Sequence, residues 1–399
     1  MAVTVCPRFD VVRTRRTVGG PHDAATAGRA RTPARSRIHR DRAHPQARRP
    51  PWSREVVPSS VDGMTSRSDR PVARLSSPGA IVATLPSLCG FPPEDSLVLL
   101  SLRGERRRIG LTARLDLPPP DAEGGAADLL AERMRLDGAR EAVVVVLSDE
   151  RRPELVQAVG EALAGRAIDV HEALHVADGR WWSYECSSSC CPAEGTPVPP
   201  PPTLVEAQRA LAGRAVLASR AELVASLAAP TSLAAERAGQ ALDDAAEQWV
   251  GHWAADPDEA CVAAVRQARR LLDAVGSGRP VDLAEAAALT VALHDHRVRD
   301  EIATWSLRRS DALLSLLEQT ARQVVPPFDA PVCTLLAWVA YARGDGSRVN
   351  VALDRALETD PAYSLASLLR TAFDGGIAPR QVRRMLTSTR RGLRLSSPG

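Results

Sequence analysis

The chain has 399 residues, 44% of them hydrophobic, 25% charged and only 4% aromatic, with 51 basic residues against 48 acidic for a net charge of +3. Every basic residue is arginine. The length allows two or three domains and a sizeable core, and the composition excludes collagen-like, disulfide-dense and membrane-spanning classes. A net charge this close to zero gives no global argument for nucleic acid or membrane surfaces as partners.

The charge is unevenly spread. Residues 1–70 hold 15 Arg against 6 Asp or Glu, which leaves 36 against 42 in residues 71–399. The first segment has no helical or strand periodicity and few large apolar residues, so it is read as a disordered leader that cannot offset its chain entropy. It contains no apolar run of the kind a secretory signal needs. An Arg-rich, acid-poor leader fits a transit peptide or a nucleic-acid arm, and it equally fits translation that starts at Met64, the reading preferred here. The longest apolar stretch, Thr334–Ala342, is about half the length of a membrane span. The chain is therefore expected to be soluble and cytoplasmic, with its seven cysteines as reduced thiols by default.

Order begins near Leu75. Ser96–Arg103 and Arg108–Leu117 read as strands joined by a turn at Gly104, the second with Ile109, Leu111, Ala113 and Leu115 alternating onto one face. A helical pattern over Ala126–Leu136 precedes the β-branched run Ala142–Leu147, which suits a central strand covered on both sides. Pro153 opens a further helix that ends near Gly165. Ala167–Val176 and Arg180–Cys186 then bracket the hairpin turn Asp178-Gly179. The expected architecture is an α/β domain over 71–195 with a mixed sheet of about five strands in the order ββαβαββ. A Pro-rich linker follows at 196–202. An all-α domain of roughly ten helices spans 203–390, and a flexible tail covers 391–399. Ser219-x-x-Glu222, Asp282-x-x-Glu285, Asp256-Pro257 and Asp360-Pro361 mark helix starts within it.

Pro331–Pro361 resembles one tetratricopeptide repeat, because Leu336, Gly344, Ala356 and Pro361 match that repeat's spacing of small and turn-forming positions. Cys333, Ala337, Ala340 and Val349 occupy other signature positions. One such hairpin cannot make a solenoid, so it is expected as a single repeat-like unit in a helical domain. Four blocks, Leu75–Leu100, Asp178–Gly195, Val298–Asp300 and Leu335–Leu369, together resemble a high-GC-bacterial family of domains of unknown function, family 4192. The resemblance leaves the leader outside it and implies no activity, substrate or cofactor.

Several residues invite chemistry. Glu94 and Asp95 form a carboxylate pair before the first strand, suited to acid–base work or ligation, or simply to holding a turn. Arg103, Arg106, Arg107 and Arg108 cluster at a hairpin turn, without the Gly-rich loop that phosphate binding would need. Arg180 and Trp182 could present a ligand platform, while one of Trp181 and Trp182 should enter the core. Cys186, Cys190 and Cys191 gather three sulfurs at a strand end. With His175 as fourth ligand, or His171 on the same face by period-2 alternation, they could bind zinc. Redox and purely structural roles for the three thiols stay open beside metal binding.

The leading reading is a protein- or ligand-binding scaffold, with a peptide or protein partner on the helical domain. The alternative is a metal- or thiol-dependent enzyme or sensor using the Cys186/Cys190/Cys191 cluster. Nucleic-acid binding ranks last, against the acidic balance of residues 71–399 and the lack of a reader motif.

Overall fold

The computed structural model describes residues 4–6, 11–12, 73–75, 77–186, 191–211 and 215–396. The first half is a mixed β-sheet with helices on it, and the second half is helical. The main strands are β4 (Ser96–Arg103), β5 (Arg108–Asp116), β6 (Glu141–Leu147), β7 (Asp169–Ala177) and β8 (Arg180–Ser183). Short strands β1 (Thr4–Cys6), β2 (Val11–Val12), β3 (Ala73–Arg74) and β9 (Thr196–Pro197) extend the edges, so the sheet is wider than the five strands expected. The spatial order is β3-β2-β5-β4-β6-β7-β8-β9, with β1 also pairing on β5. β4 is antiparallel to both β5 and β6, and β6 is parallel to β7. Two short stretches of the Arg-rich leader thus lie on the sheet. The rest of residues 1–72, Met64 included, falls outside the described residues.

β6 is central because its run of valines can be buried on both faces. Val144 and Val146 pack under α2 (Glu123–Asp137) and α3 (Pro153–Ala164), against Leu130 and Leu155. Val143 and Val145 pack on the opposite side under α1 (Pro78–Cys89), against Ile81 and Leu85. The sequence does not announce α1. Its residues are buried nearly all round, so no polar stripe marks a helix, and Pro86 reads as a breaker. Local chemistry still starts it. Ser77 Oγ accepts from the Ala80 N–H at 3.2 Å, and Pro78 sits in the first turn, where its missing donor costs nothing. Gly90, at φ +85°, ends it.

Two bulges overturn expectations based on strict alternation. A register shift between Leu100 and Leu102 puts Ile109 in the α1-side core, while Ala113 and Leu115 stay in the other. A second shift, opposite Ala142 and Val143, lets Val170 and Ala173 contribute to one core although they are three residues apart. Period 2 therefore does not carry from His171 to His175.

The Pro-rich segment runs along the sheet. β9 pairs with β8, the Val198 N–H donates to Gly179 O at 2.9 Å, and Val198 packs on the α1-side core. Beyond it come α4 (Thr203–Leu211), α5 (Arg220–Ser226), α6 (Ser232–Ala255), α7 (Pro257–Gly276) and α8 (Leu283–Ala292). α9 (His296–Thr304), α10 (Ser306–Ala321), α11 (Ala330–Arg343), α12 (Gly346–Thr359), α13 (Ser364–Asp374) and α14 (Pro379–Ser396) complete the chain. Asp256 and Asp282 cap α7 and α8 as their spacing predicts, Asp282 in a full capping box with Glu285. Asp360 does not open a helix. It ends α12 and turns the chain through the Ala362 N–H, so α13 begins only at Ser364.

The sheet and the helices belong to one compact unit. Phe91, just after α1, is buried in the helical core, and Ser347 Oγ donates to Cys89 O at 2.7 Å. Among the described residues no helix is long and apolar enough to cross a membrane.

Candidate functional site

The cysteine-bearing loop leaves β8 and returns at β9. Two side chains of β8 hold it. Arg180 Nη1 donates to Gly195 O at 3.0 Å, and Trp182 Nε1 donates to Ala193 O at 3.0 Å. Gly195 has φ +77°, and a Cβ there would lie 2.4 Å from the Trp182 ring, so only glycine closes the loop this way. Arg180 and Trp182 are thus engaged with the loop rather than presented as a bare platform. Trp181 points to the other face and packs on the α1-side core. Cys186 and Cys191 are half-buried, and Cys190 lies outside the described residues. Among the described residues, no group of three His, Cys, Asp or Glu is placed to hold a metal ion.

His175 pairs with Trp182 across β7 and β8. Its ring is 5.2 Å from Trp182 and 6.2 Å from Tyr184, centroid to centroid, and the residue is buried. Nε2 is 2.8 Å from Ser148 O. A carbonyl can only accept, so Nε2 carries the proton and the lone pair of the neutral ring sits on Nδ1. Among the described residues Nδ1 is buried with no hydrogen-bond partner. Burial holds this imidazole below its ordinary value, which keeps it neutral and able to ligate. His171 is elsewhere, with Nδ1 2.8 Å from Glu141, a carboxylate that Arg107 also grips at 2.7 Å. The two histidines do not converge.

The carboxylate pair and the arginine turn have local roles. Glu94 and Asp95 are exposed, and their backbones build the turn: Glu94 O accepts from Ser96 Oγ and Arg114, and Asp95 O accepts from the Leu117 N–H at 2.8 Å. Arg103 lies 3.5 Å from the buried Asp137 carboxylate, which also receives the Leu111 N–H at 2.8 Å. Two of the four turn arginines are therefore tied to carboxylates of neighbouring elements.

Sequence reasoning missed a groove of about 600 Å³ between α5, α12 and the turn before α11. Its apolar wall includes Val224, Leu227 and Val351, and its acidic side includes Asp329, Asp354 and Glu358. Asp329 is wholly buried, and Arg355 holds its Oδ2 at 2.8 Å. The same guanidinium donates to Leu227 O at 2.5 Å, Ala321 O at 2.7 Å and Val324 O at 2.9 Å. Arg355 therefore gathers carbonyls at the ends of α5 and α10 and joins them to α11. Oδ1 of Asp329 has no hydrogen-bond partner among the described residues. A buried carboxylate oxygen without a donor is costly, and a donor supplied from outside would relieve it. The only sequence signal was an isolated Asp before an apolar helix and an Arg 26 residues later, a spacing that no local pattern relates.

A smaller cavity of about 170 Å³ lies between α9, α11 and α14. It takes in Arg299, Asp300 and Trp338. Arg299 is occupied by Asp300 at 2.9 Å and the Tyr363 hydroxyl at 3.3 Å. Three other thiols, Cys89, Cys261 and Cys333, are buried and free of disulfides. Burial pushes Cys333 up to about 12, so it is inert.

Residues 78–380 match a family model described as a domain of unknown function, DUF4192. The matched stretch covers β4 to β9 and nearly all the helices, and the chain belongs to that family. No curated protein and no solved structure matches it.

Proposed function

We propose that this protein is a binding module whose helical half takes a segment of a partner protein, apolar with one basic or amide side chain, in the groove between α5 and α12. The observation that carries the proposal is the unpartnered Oδ1 of Asp329, buried beside the apolar wall of this groove. Val224 and Leu227 suit an apolar anchor, while Asp329, Asp354 and Glu358 suit a cation or N–H donor. The tetratricopeptide-like spacing at Leu336, Gly344, Ala356 and Pro361 supports the same reading, since α11 and α12 form a helical hairpin beside the groove. The buried reduced thiols support a cytoplasmic setting.

Calorimetric titration of the full chain with paired short peptides, identical except for Arg or Glu beside a Leu anchor, tests it. The Arg peptide should bind, and Glu358→Arg or Val224→Asp should weaken it at least tenfold. Equal binding of the Arg and Glu peptides, or no effect of either substitution, would overturn the reading.

A second reading rests on His175, whose oriented ring and unpartnered Nδ1 follow the pattern of a histidine ligand held by a backbone carbonyl. Were Cys186, Cys190 and Cys191 to join it as ligands, the loop would serve a metal- or thiol-dependent enzyme or sensor, with zinc as the metal. Elemental analysis of the full chain purified without chelator is the check. Stoichiometric zinc, lost in Cys186→Ser and in His175→Ala, sustains this reading, and its absence together with the absence of a fast-alkylating thiol removes it.

A further inference from the structure

The geometry points to α14 as a binding surface for the phosphate backbone of duplex nucleic acid. This inference is independent of the groove and of the cysteine loop. Helix α14 carries Arg380, Arg383, Arg384, Arg390 and Arg391, and no acidic residue occurs after Asp374. At about 100° per residue, those five arginines fall within an arc of about 120° that runs about 16 Å along the helix. The opposite side is committed to the body: Val382 and Leu386 are buried in the helical core, and Thr389 faces the smaller cavity. Four of the five arginines are exposed and the fifth is half-buried. Among the described residues none of them meets a carboxylate.

Elsewhere, among the described residues, many arginines meet carboxylates. Arg152 meets Glu123, Arg166 meets Asp128, and Arg348 meets both Asp345 and Glu318. Residues 71–374 hold 30 arginines against 42 acids, a net of −12, whereas 375–399 hold six arginines and no acid. The near-neutral total conceals this separation.

Helix stability does not account for the arrangement. Cations near a helix C-terminus are favourable, which covers Arg390 and Arg391. Arg380, Arg383 and Arg384 sit in the first two turns, where the dipole opposes them and where there is no acid to compensate. An external anion would satisfy them. Arginine's planar fork suits phosphate, and Thr387, whose hydroxyl donates to Arg383 O at 2.8 Å, shares the arginine face. The helix has no aromatic residue on which an unpaired base could stack, which favours a duplex over a single strand and a backbone contact over insertion into lipid. Because the inner face is docked, contact is with the backbone from outside and is independent of base sequence.

The test uses the full chain and a random-sequence 20-base-pair duplex, with anisotropy titrations across a range of NaCl concentrations. Arg380→Gln/Arg383→Gln/Arg384→Gln removes the three cations that the dipole opposes, so α14 should keep its fold, checked by circular dichroism. The slope of log K against log[NaCl] should become less steep by about 2.7, or about 0.9 per lost phosphate contact. Arg390→Gln/Arg391→Gln should reduce it by about 1.8 on the same basis and serves if the first variant misfolds. The Arg-rich first 70 residues are present in every protein and cancel in the difference. Slopes unchanged to within one contact would overturn the proposal. So would substitutions that abolish binding to phosphatidylglycerol vesicles or polyglutamate while leaving the duplex slope alone, since the partner would then be a membrane or an acidic protein.

Discussion

β6 and the Asp329–Arg355 pair are buried features, one in each half, and they are stabilised differently. In β6 five consecutive residues, Ala142 to Val146, are fully buried with no polar side chain among them, and apolar side-chain burial adds to the backbone ladders with β4 and β7. In the helical half a wholly buried carboxylate and a nearly buried guanidinium hold four chain segments together through directed bonds. The first arrangement has nothing left to offer a ligand. The second leaves one carboxylate oxygen unpartnered at the edge of a groove. Apolar packing therefore closes the sheet, whereas the polar joint between the helices keeps one acceptor to spare.

That contrast can be broken most directly at the joint. Asp329→Ala strands the Arg355 charge and should cost about 3–5 kcal/mol in urea unfolding, with a loss under 1 kcal/mol showing that the pair is dispensable. Leu99→Ala, in the fully buried middle of β4, should cost about 2–5 kcal/mol through lost burial and a residual cavity. Both losses should appear in the same transition if sheet and helices unfold as one unit. Ala356 is fully buried where α12 meets its neighbours, so Ala356→Leu should overpack and cost about 1–3 kcal/mol, and a neutral result would deprive the repeat-like spacing of its packing meaning.

A gentler probe is pH. The imidazole of His175 titrates near 6.5 when unfolded and lower when folded, because burial disfavours its charged form. Its contribution to stability is complete above 6.5 and is lost as pH falls below that value towards the folded one, since the unfolded chain takes the proton more readily. Stability measured at about pH 7.5 and pH 5.5 should fall less in His175→Gln than in the wild type, and equal falls would assign the titration elsewhere. The smallest effect belongs to the exposed Arg266–Glu259 pair: Glu259→Gln should shift stability by less than about 0.5 kcal/mol. A larger shift would mean that surface charges matter more here than the buried joint implies.

Much of the sheet was legible because its signals are local. The valine run of β6 and the Asp178-Gly179 turn need only neighbours in sequence, and both lie where their chemistry places them. α1 was not legible, because a helix buried on all sides has no stripe. The bulges at Leu100–Leu102 and at Val170–Glu172 were missed because alternation carries no sign of an extra residue. At the cysteine loop, the residues were visible but not their roles: Arg180 and Trp182 hold the loop, and the lone pair of His175 depends on a carbonyl 27 residues away.

By itself, then, the sequence determined an α/β first part with a helical part after it, the caps of α7 and α8, and the arginine spacing of α14. Each follows from side-chain chemistry acting within a few residues. Tertiary structure alone decided that α1 would cover one face of the sheet and that the two histidines would part. It also decided that Asp329 would meet Arg355 across a groove, and which face of α14 would dock. Those outcomes depend on which distant surfaces exclude water together, and that is set only when the whole chain packs.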